Sequence, residues 1–203
     1  GTATLIGIPA GIWAARSNKY RAIIFKVVNG VQTIPSLALF GLMIAPLALI
    51  SQQFPVLRRI GIAGIGNAPA LIALTLYSLL PIIRNTFTGI FYIETHIITA
   101  ATGMGMSKSQ KFRYVELPLA TPMMLTGIRM SLVQTIGNTA VAALIGAGGL
   151  GTFIFQGLGQ SVPDLILLGV IPVILLSILF DRLFHWTEHI VTPKGVRISW
   201  ETA

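Results

Sequence analysis

Ser131, Gln134, Thr135 and Asn138 stand in an otherwise apolar run over 119–145, in the company of Thr126, Arg129 and Thr139. On a helix advancing about 100° per residue, those four fall within about 100° of one another. They form one hydrogen-bonding stripe. Hydrocarbon satisfies no such group, so the stripe either lines a watery path for a polar solute or bonds to neighbouring helices. Arg129 lies roughly opposite the centre of the stripe; it either snorkels to an interface or meets a buried partner or gate. Arg84 and Asn85, near one end of another apolar run, read as an interface anchor or a gate.

A second pattern suggests different chemistry and fails on context. Gly146-Ala147-Gly148-Gly149-Leu150-Gly151 formally spells G-x-G-x-x-G. Dinucleotide binding by that pattern needs a preceding strand and an acidic residue about 20 positions on. Here an apolar helical run precedes it, and the residues near position 171 are apolar. No Lys-Ser/Thr follows, so the string is not a P-loop for ATP either. Gly146, Gly148 and Gly149 read instead as a sharp re-entry or gate, or as a plain loop. The chain has no cysteine and three histidines. His96, His185 and His189 are scattered, so neither a thiolate nor a zinc site is expected. No catalytic centre and no cofactor site is expected on this chain.

The elements that carry these residues follow from composition. Hydrophobic residues make up 54% and charged residues only 10%, against about 25% charged in a soluble domain. The net charge of +8 sits in short clusters between long uncharged stretches, the pattern of membrane flanks rather than of a nucleic-acid-binding face. A helix crossing about 30 Å of hydrocarbon needs about 20 mostly apolar residues. The runs 22–50, 67–90, 119–145 and 164–183 qualify, and 1–14, which does not open as a signal peptide would, reads as the tail of a further span. Pro35 and Pro46 are expected to kink the first of them. The expected fold is all-α: a polytopic transmembrane bundle of about five spans, the first partial, in a single domain over 1–203.

Charge sets the orientation. Arg16, Lys19, Arg21, Lys26, Arg84, Lys108, Lys111, Arg113, Arg182, Lys194 and Arg197 share one side if the spans alternate, and only Arg58 and Arg59 face the other. Retained positive charge marks the cytoplasmic side. The internal connection 91–117, with Lys108, Lys111 and Arg113, and the C-terminal tail are therefore expected inside. The connections 51–66 and 146–163 are expected outside.

The long internal connection is distinctive. Residues 95–104 are expected to form a short helix stopped by Gly103 and Gly105, and Pro118 to mark the start of the next span. Thr99-Ala100-Ala101, then Gly105, then Val115-x-Leu117-Pro118 resembles the EAA signature of ABC-importer permeases, with Thr99 where a glutamate is usual. VQTIPSLALFGL at 31–42, LIALTLYSLLPIIRNTFTGI at 71–90, GMGMSKSQKFRYVELPLATPMMLTGIR at 103–129 and AALIGAGGLGTFIFQGL at 142–158 are similar to permeases for glycine betaine, carnitine and choline.

That resemblance implies a type I ABC-importer (MetI-like) permease in a bacterial inner membrane, working by alternating access and surrounded by lipid. It implies a separate ATPase that binds ATP and Mg, a second permease copy or paralogue, and an extracytoplasmic solute-binding protein. It assigns coupling to the ATPase to Thr99, Ala100, Ala101, Thr102, Gly105, Met106 and Pro118. Amino-acid import is the alternative within the class. Ion-coupled transport is a separate alternative; no Asp or Glu lies deep within an expected span to carry protons, although carbonyls could hold sodium.

Overall fold

A computed structural model of the chain describes residues 1–54, 56, 62 and 64–191. Arg58 and Arg59 of one expected loop, and Lys194 and Arg197 of the tail, lie outside these. The described residues are helical throughout: α1 Thr2–Arg16, α2 Asn18–Thr33, α3 Ser36–Gln53, α4 Asn67–Phe91, α5 Thr95–Gly103, α6 Lys108–Lys111, α7 Leu117–Ala142, α8 Leu150–Gln160 and α9 Pro163–Val191. A π-helical turn, Phe112–Glu116, joins α6 to α7, and a 3-10 turn, Ala143–Ile145, follows α7. Among the described residues four stretches are long and apolar enough to cross a membrane: Ser36–Gln53, Asn67–Phe91, Lys108–Ile145 and Pro163–Glu188. Helix α1 occupies the expected partial span at 1–14.

Sequence expectations are corrected or refined at three places. The run 22–50 is two helices, because Pro35 disfavours a helical Ile34 and has no N–H to continue the ladder; it caps α3 instead, at φ −54° and ψ 141°. Pro46 lies within α3 without ending it. Secondly, Pro118 falls in the first turn of α7, as expected, but no loop precedes it. Helical structure runs unbroken from Lys108 to Ile145, and the chain widens into the π turn immediately before the proline, where the missing N–H and the ring's clash with the preceding turn would otherwise break the helix. Thirdly, the connection 146–163 contains α8. Its glycines read as a re-entry or gate, or as a plain loop, and Gly151 has a packing reason besides: a Cβ there would stand 2.0 Å from the Ala140 carbonyl oxygen.

The chain divides into two compact units, Gly1–Val27 with Leu79–Ser131 and Asp181–Ala203, and Val28–Ser78 with Leu132–Phe180. In the first unit, Ala3, Gly7, Gly11 and Ala14 form the buried stripe of α1. These small residues let it approach α4 closely, as membrane helices require in the absence of a hydrophobic drive. A Cβ on Gly7 would lie 2.7 Å from Ile82, and one on Gly11 2.6 Å from Thr86. In the second unit, Leu39, Phe40, Ala70, Ala73, Leu74, Tyr77, Ala142 and Ile145 form an apolar cluster. The Tyr77 hydroxyl donates to the carbonyl of Ile34, which satisfies backbone freed where Pro35 parts α2 from α3.

Candidate functional site

The EAA-like segment is built on α5, whose hydroxyls are turned back on its own backbone. Thr99 Oγ1 donates to the Thr95 carbonyl at 2.9 Å and Thr102 Oγ1 to that of Ile98 at 2.7 Å. The helix ends where Gly105 takes φ +77°. Its N–H bonds Thr102 O at 2.9 Å while the N–H of Met106 bonds Ala101 O at 3.2 Å. This paired closure is a Schellman motif, and its left-handed position favours glycine. The glycine of the signature thus has a backbone reason.

The two alanines part company. Ala101 is buried within the chain's own fold, whereas Thr99, Ala100, Thr102 and Gly105 are exposed and Met106 is half-buried. The exposed edge available to a partner is therefore Thr99, Ala100 and Thr102. Lys111 Nζ donates to Thr102 Oγ1 at 3.0 Å, so α5 and α6 are tied together. Helix α6 opens on a capping box: Ser107 Oγ accepts from the Gln110 N–H, and Gln110 Oε1 from the Ser107 N–H. The Ser107-x-x-Gln110 spacing is a legible start signal and puts the helix start at Lys108, well before Pro118.

On α7 the polar stripe is not uniform. Ser131 is buried and Gln134 exposed, while Thr135 and Asn138 are half-buried. Thr135 Oγ1 lies 2.8 Å from Ser78 Oγ, which itself donates to the Leu74 carbonyl. Thr135 therefore bonds to a neighbouring helix, whereas Gln134 and Asn138 make no hydrogen bond among the described residues. Arg129, on another face, does not snorkel alone. Its Nε lies 3.5 Å from Asp181, and its Nη1 lies 3.4 Å from Glu188 and 3.0 Å from His185 Nδ1. Thr126 adds a hydroxyl bond to Glu188. The spacing Asp181, His185, Glu188 places three polar groups on one face of α9, a signal present in the sequence but unread.

The other gate candidates separate likewise. Arg84 is exposed. Asn85 donates to the Pro81 carbonyl at 2.9 Å, and its Cβ stands where a Gly127 side chain would begin, so it belongs to a helix crossing. Gly146, Gly148 and Gly149 all have positive φ. Gly146 closes the end of α7 by the same paired bonds as Gly105, with Gly146 N–H to Ala143 O and Ala147 N–H to Ala142 O. Gly149 caps α8. Together they turn the chain from one helix into the next.

Residues 7–192 match the family of binding-protein-dependent transport system inner membrane components. The chain belongs to that family. It is a multi-pass inner-membrane permease subunit of an ABC importer. It is 40% identical over 197 residues to the osmoprotectant import permease protein OsmW of Salmonella typhimurium, covering 97% of this chain and 86% of that one. It is 39% identical over 193 residues to the glycine betaine/carnitine/choline transport system permease protein OpuCB of Bacillus subtilis, covering 95% and 82%. Among solved structures it resembles the MetNI methionine ABC transporter in an inward-facing conformation, with a TM-score of 0.78 and 25% identity over 94% of this chain and 88% of that one.

Proposed function

We propose that this permease imports quaternary ammonium osmoprotectants such as glycine betaine, carnitine or choline. The observation that carries the substrate class is the 40% identity to an osmoprotectant permease along 97% of the chain, well above the 25% to the methionine transporter. A separate ATPase, which binds ATP and Mg, drives the cycle; a second permease copy or a paralogue completes the path; and a solute-binding protein delivers cargo. The edge of α5 at Thr99, Ala100 and Thr102, with Met106 beside it, receives the ATPase. Ala101, Gly105 and Pro118 give the segment its shape. Gln134 and Asn138 meet the moving solute or its water, supported by their lack of other partners on an apolar helix. Ser131 and Thr135 support them. Arg84 and the Gly146–Gly149 turn gate opposite ends, and the connection at 107–111 and the tail face the cytoplasm, as the charge distribution indicates.

The deciding experiment is uptake of labelled glycine betaine into proteoliposomes holding the permease, its ATPase and its binding protein. ATP-dependent uptake competed by choline is expected. ATP-dependent uptake of methionine with none of betaine would contradict the assignment. Asn138→Leu should depress uptake while leaving assembly and basal ATP hydrolysis intact; dissociation of that variant in detergent would make Asn138 a structural bond instead. Ser107→Cys should react with an impermeant thiol reagent only from the cytoplasmic side.

A further inference from the structure

The π turn ahead of α7 is clasped by a single side chain from elsewhere in its unit. Arg16 Nη2 lies 3.4 Å from Glu116 Oε2, and the Arg16 guanidinium carbon stands 4.4 Å from the centroid of the Phe112 ring. Phe112 and Glu116 are the first and last residues of that turn. Glu116 is held in a largely enclosed position, its side chain 19% exposed. A planar guanidinium can stack on a ring and pair with a carboxylate at once; an ammonium cannot do both as well. We infer that Arg16 is a positioning residue that latches the π turn Phe112–Glu116, and that this turn is the joint through which movement of the α5 segment reaches span α7. The inference rests on the reading of α5 as the ATPase-coupling segment.

Everything upstream of the turn is already one connected piece. The Lys111–Thr102 bond ties α6 to α5, and the Ser107–Gln110 capping box stiffens the corner between them. A push on the exposed edge of α5 therefore arrives at the π turn. The turn holds a wider loop of backbone than an α-helix, with the Leu117 N–H reaching back to the Phe112 carbonyl. Returning it to α geometry changes the register by one residue, which is about 100° of rotation and 1.5 Å of rise between α6 and α7. That step is a discrete one rather than a gradual bend, and π turns recur at functional positions. Arg16 is itself firmly anchored, as the last residue of α1, whose buried glycines lie hard against Ile82 and Thr86 of α4. Its positive charge also suits the C-terminal end of that helix.

The test uses the whole complex in proteoliposomes and reads solute moved per ATP hydrolysed. Arg16→Gln is expected to lower that ratio by about fivefold or more, the lower end of ordinary coupling energies, with ATP hydrolysis continuing. Arg16→Lys should fall between it and the native complex, and Arg16→Glu with Glu116→Arg should recover most of the loss. A salt bridge with only a structural role would reduce the yield of assembled complex and leave the ratio alone. An unchanged ratio in Arg16→Gln overturns the latch, as does an assembled swap that recovers nothing. Should Arg16→Gln not assemble, Arg16→Lys decides by the same ratio. A parallel cross-link from Thr102→Cys to the ATPase separates the two levels. Its absence in the otherwise native complex removes the coupling reading and the latch together; its presence beside an unchanged ratio removes the latch alone.

Discussion

The unit built from Gly1–Val27, Leu79–Ser131 and Asp181–Ala203 and the unit built from Val28–Ser78 and Leu132–Phe180 are held together by different physics. Among the described residues, every arginine–carboxylate pair lies in the first, at Arg16–Glu116 and Arg129 with Asp181 and Glu188. So do the ring contacts among Trp13, Tyr20, Phe25, Phe87, Phe91 and Tyr92. The second relies chiefly on an apolar cluster, while hydroxyls bonded to nearby backbone and glycines set against backbone serve in both. Directional charged contacts can break and reform in another register, whereas close packing against backbone admits little change short of disruption. The first unit also contains the α5 segment and the π turn. The expectation is that the first unit responds to changes of charge, in coupling at Arg16 and in stability at Arg129, while the second responds in stability to changes of volume.

The largest effect is predicted in the second unit. Gly151→Val forces a side chain into the Ala140 carbonyl, 2.0 Å from the new Cβ, and should cost about 3 kcal/mol or more, seen as loss of folded protein in detergent. Gly159→Ala, with nothing within 4 Å, is the matched control. Next comes Arg129→Leu, which removes the cation beside Glu188, only 21% exposed, and leaves it the Thr126 hydroxyl. Removing one partner of an enclosed pair should cost about 2–3 kcal/mol, read by thermal denaturation. Asp181→Asn should cost under about 1 kcal/mol, because its 48% exposed side chain is screened by solvent. Equal costs for Asp181→Asn and Glu188→Gln would remove the distinction between enclosed and screened charges.

Two smaller effects probe buried hydroxyls in each unit. Thr86 is fully buried in the first unit, and its Oγ1 has no hydrogen-bond partner. Thr86→Val should therefore stabilise by about 1 kcal/mol, the reverse of the usual sign, since an unsatisfied buried hydroxyl carries its full desolvation cost. In the second unit the Ser78–Thr135 bond is satisfied on both sides. Ser78→Ala with Thr135→Val should show a double-mutant coupling of about 0.6 kcal/mol, as for other hydrogen bonds between membrane helices.

The sequence disclosed what depends on local composition. Apolar run length located α4, α7 and α9, and the glycines after α5 located the end of that helix to within a residue. Legibility failed where a residue's meaning depends on a distant partner. Pro35 and Pro46 look alike in the sequence, yet only Pro35 divides its run. Gly151 looks like a loop residue until the Ala140 backbone is placed beside it. Ala100 and Ala101 read as one pair, and only tertiary packing turns the second inward. Thr135 and Asn138 belong to one stripe by angle, but Ser78 engages just the former. Arg129 could be read as a lone snorkelling cation because its acidic partners lie more than fifty residues away.

If α5 is the coupling helix, its exposed edge meets an ATPase whose nucleotide state it senses. The chain has no cysteine of its own, so Thr102→Cys can be paired with single cysteines along the cleft of the ATPase subunit in the reconstituted complex. Oxidative cross-linking should form at one cleft position and change in yield between nucleotide-free and ATP-bound states. A complex that assembles and transports, yet cross-links at no cleft position in any nucleotide state, would contradict the coupling role of α5.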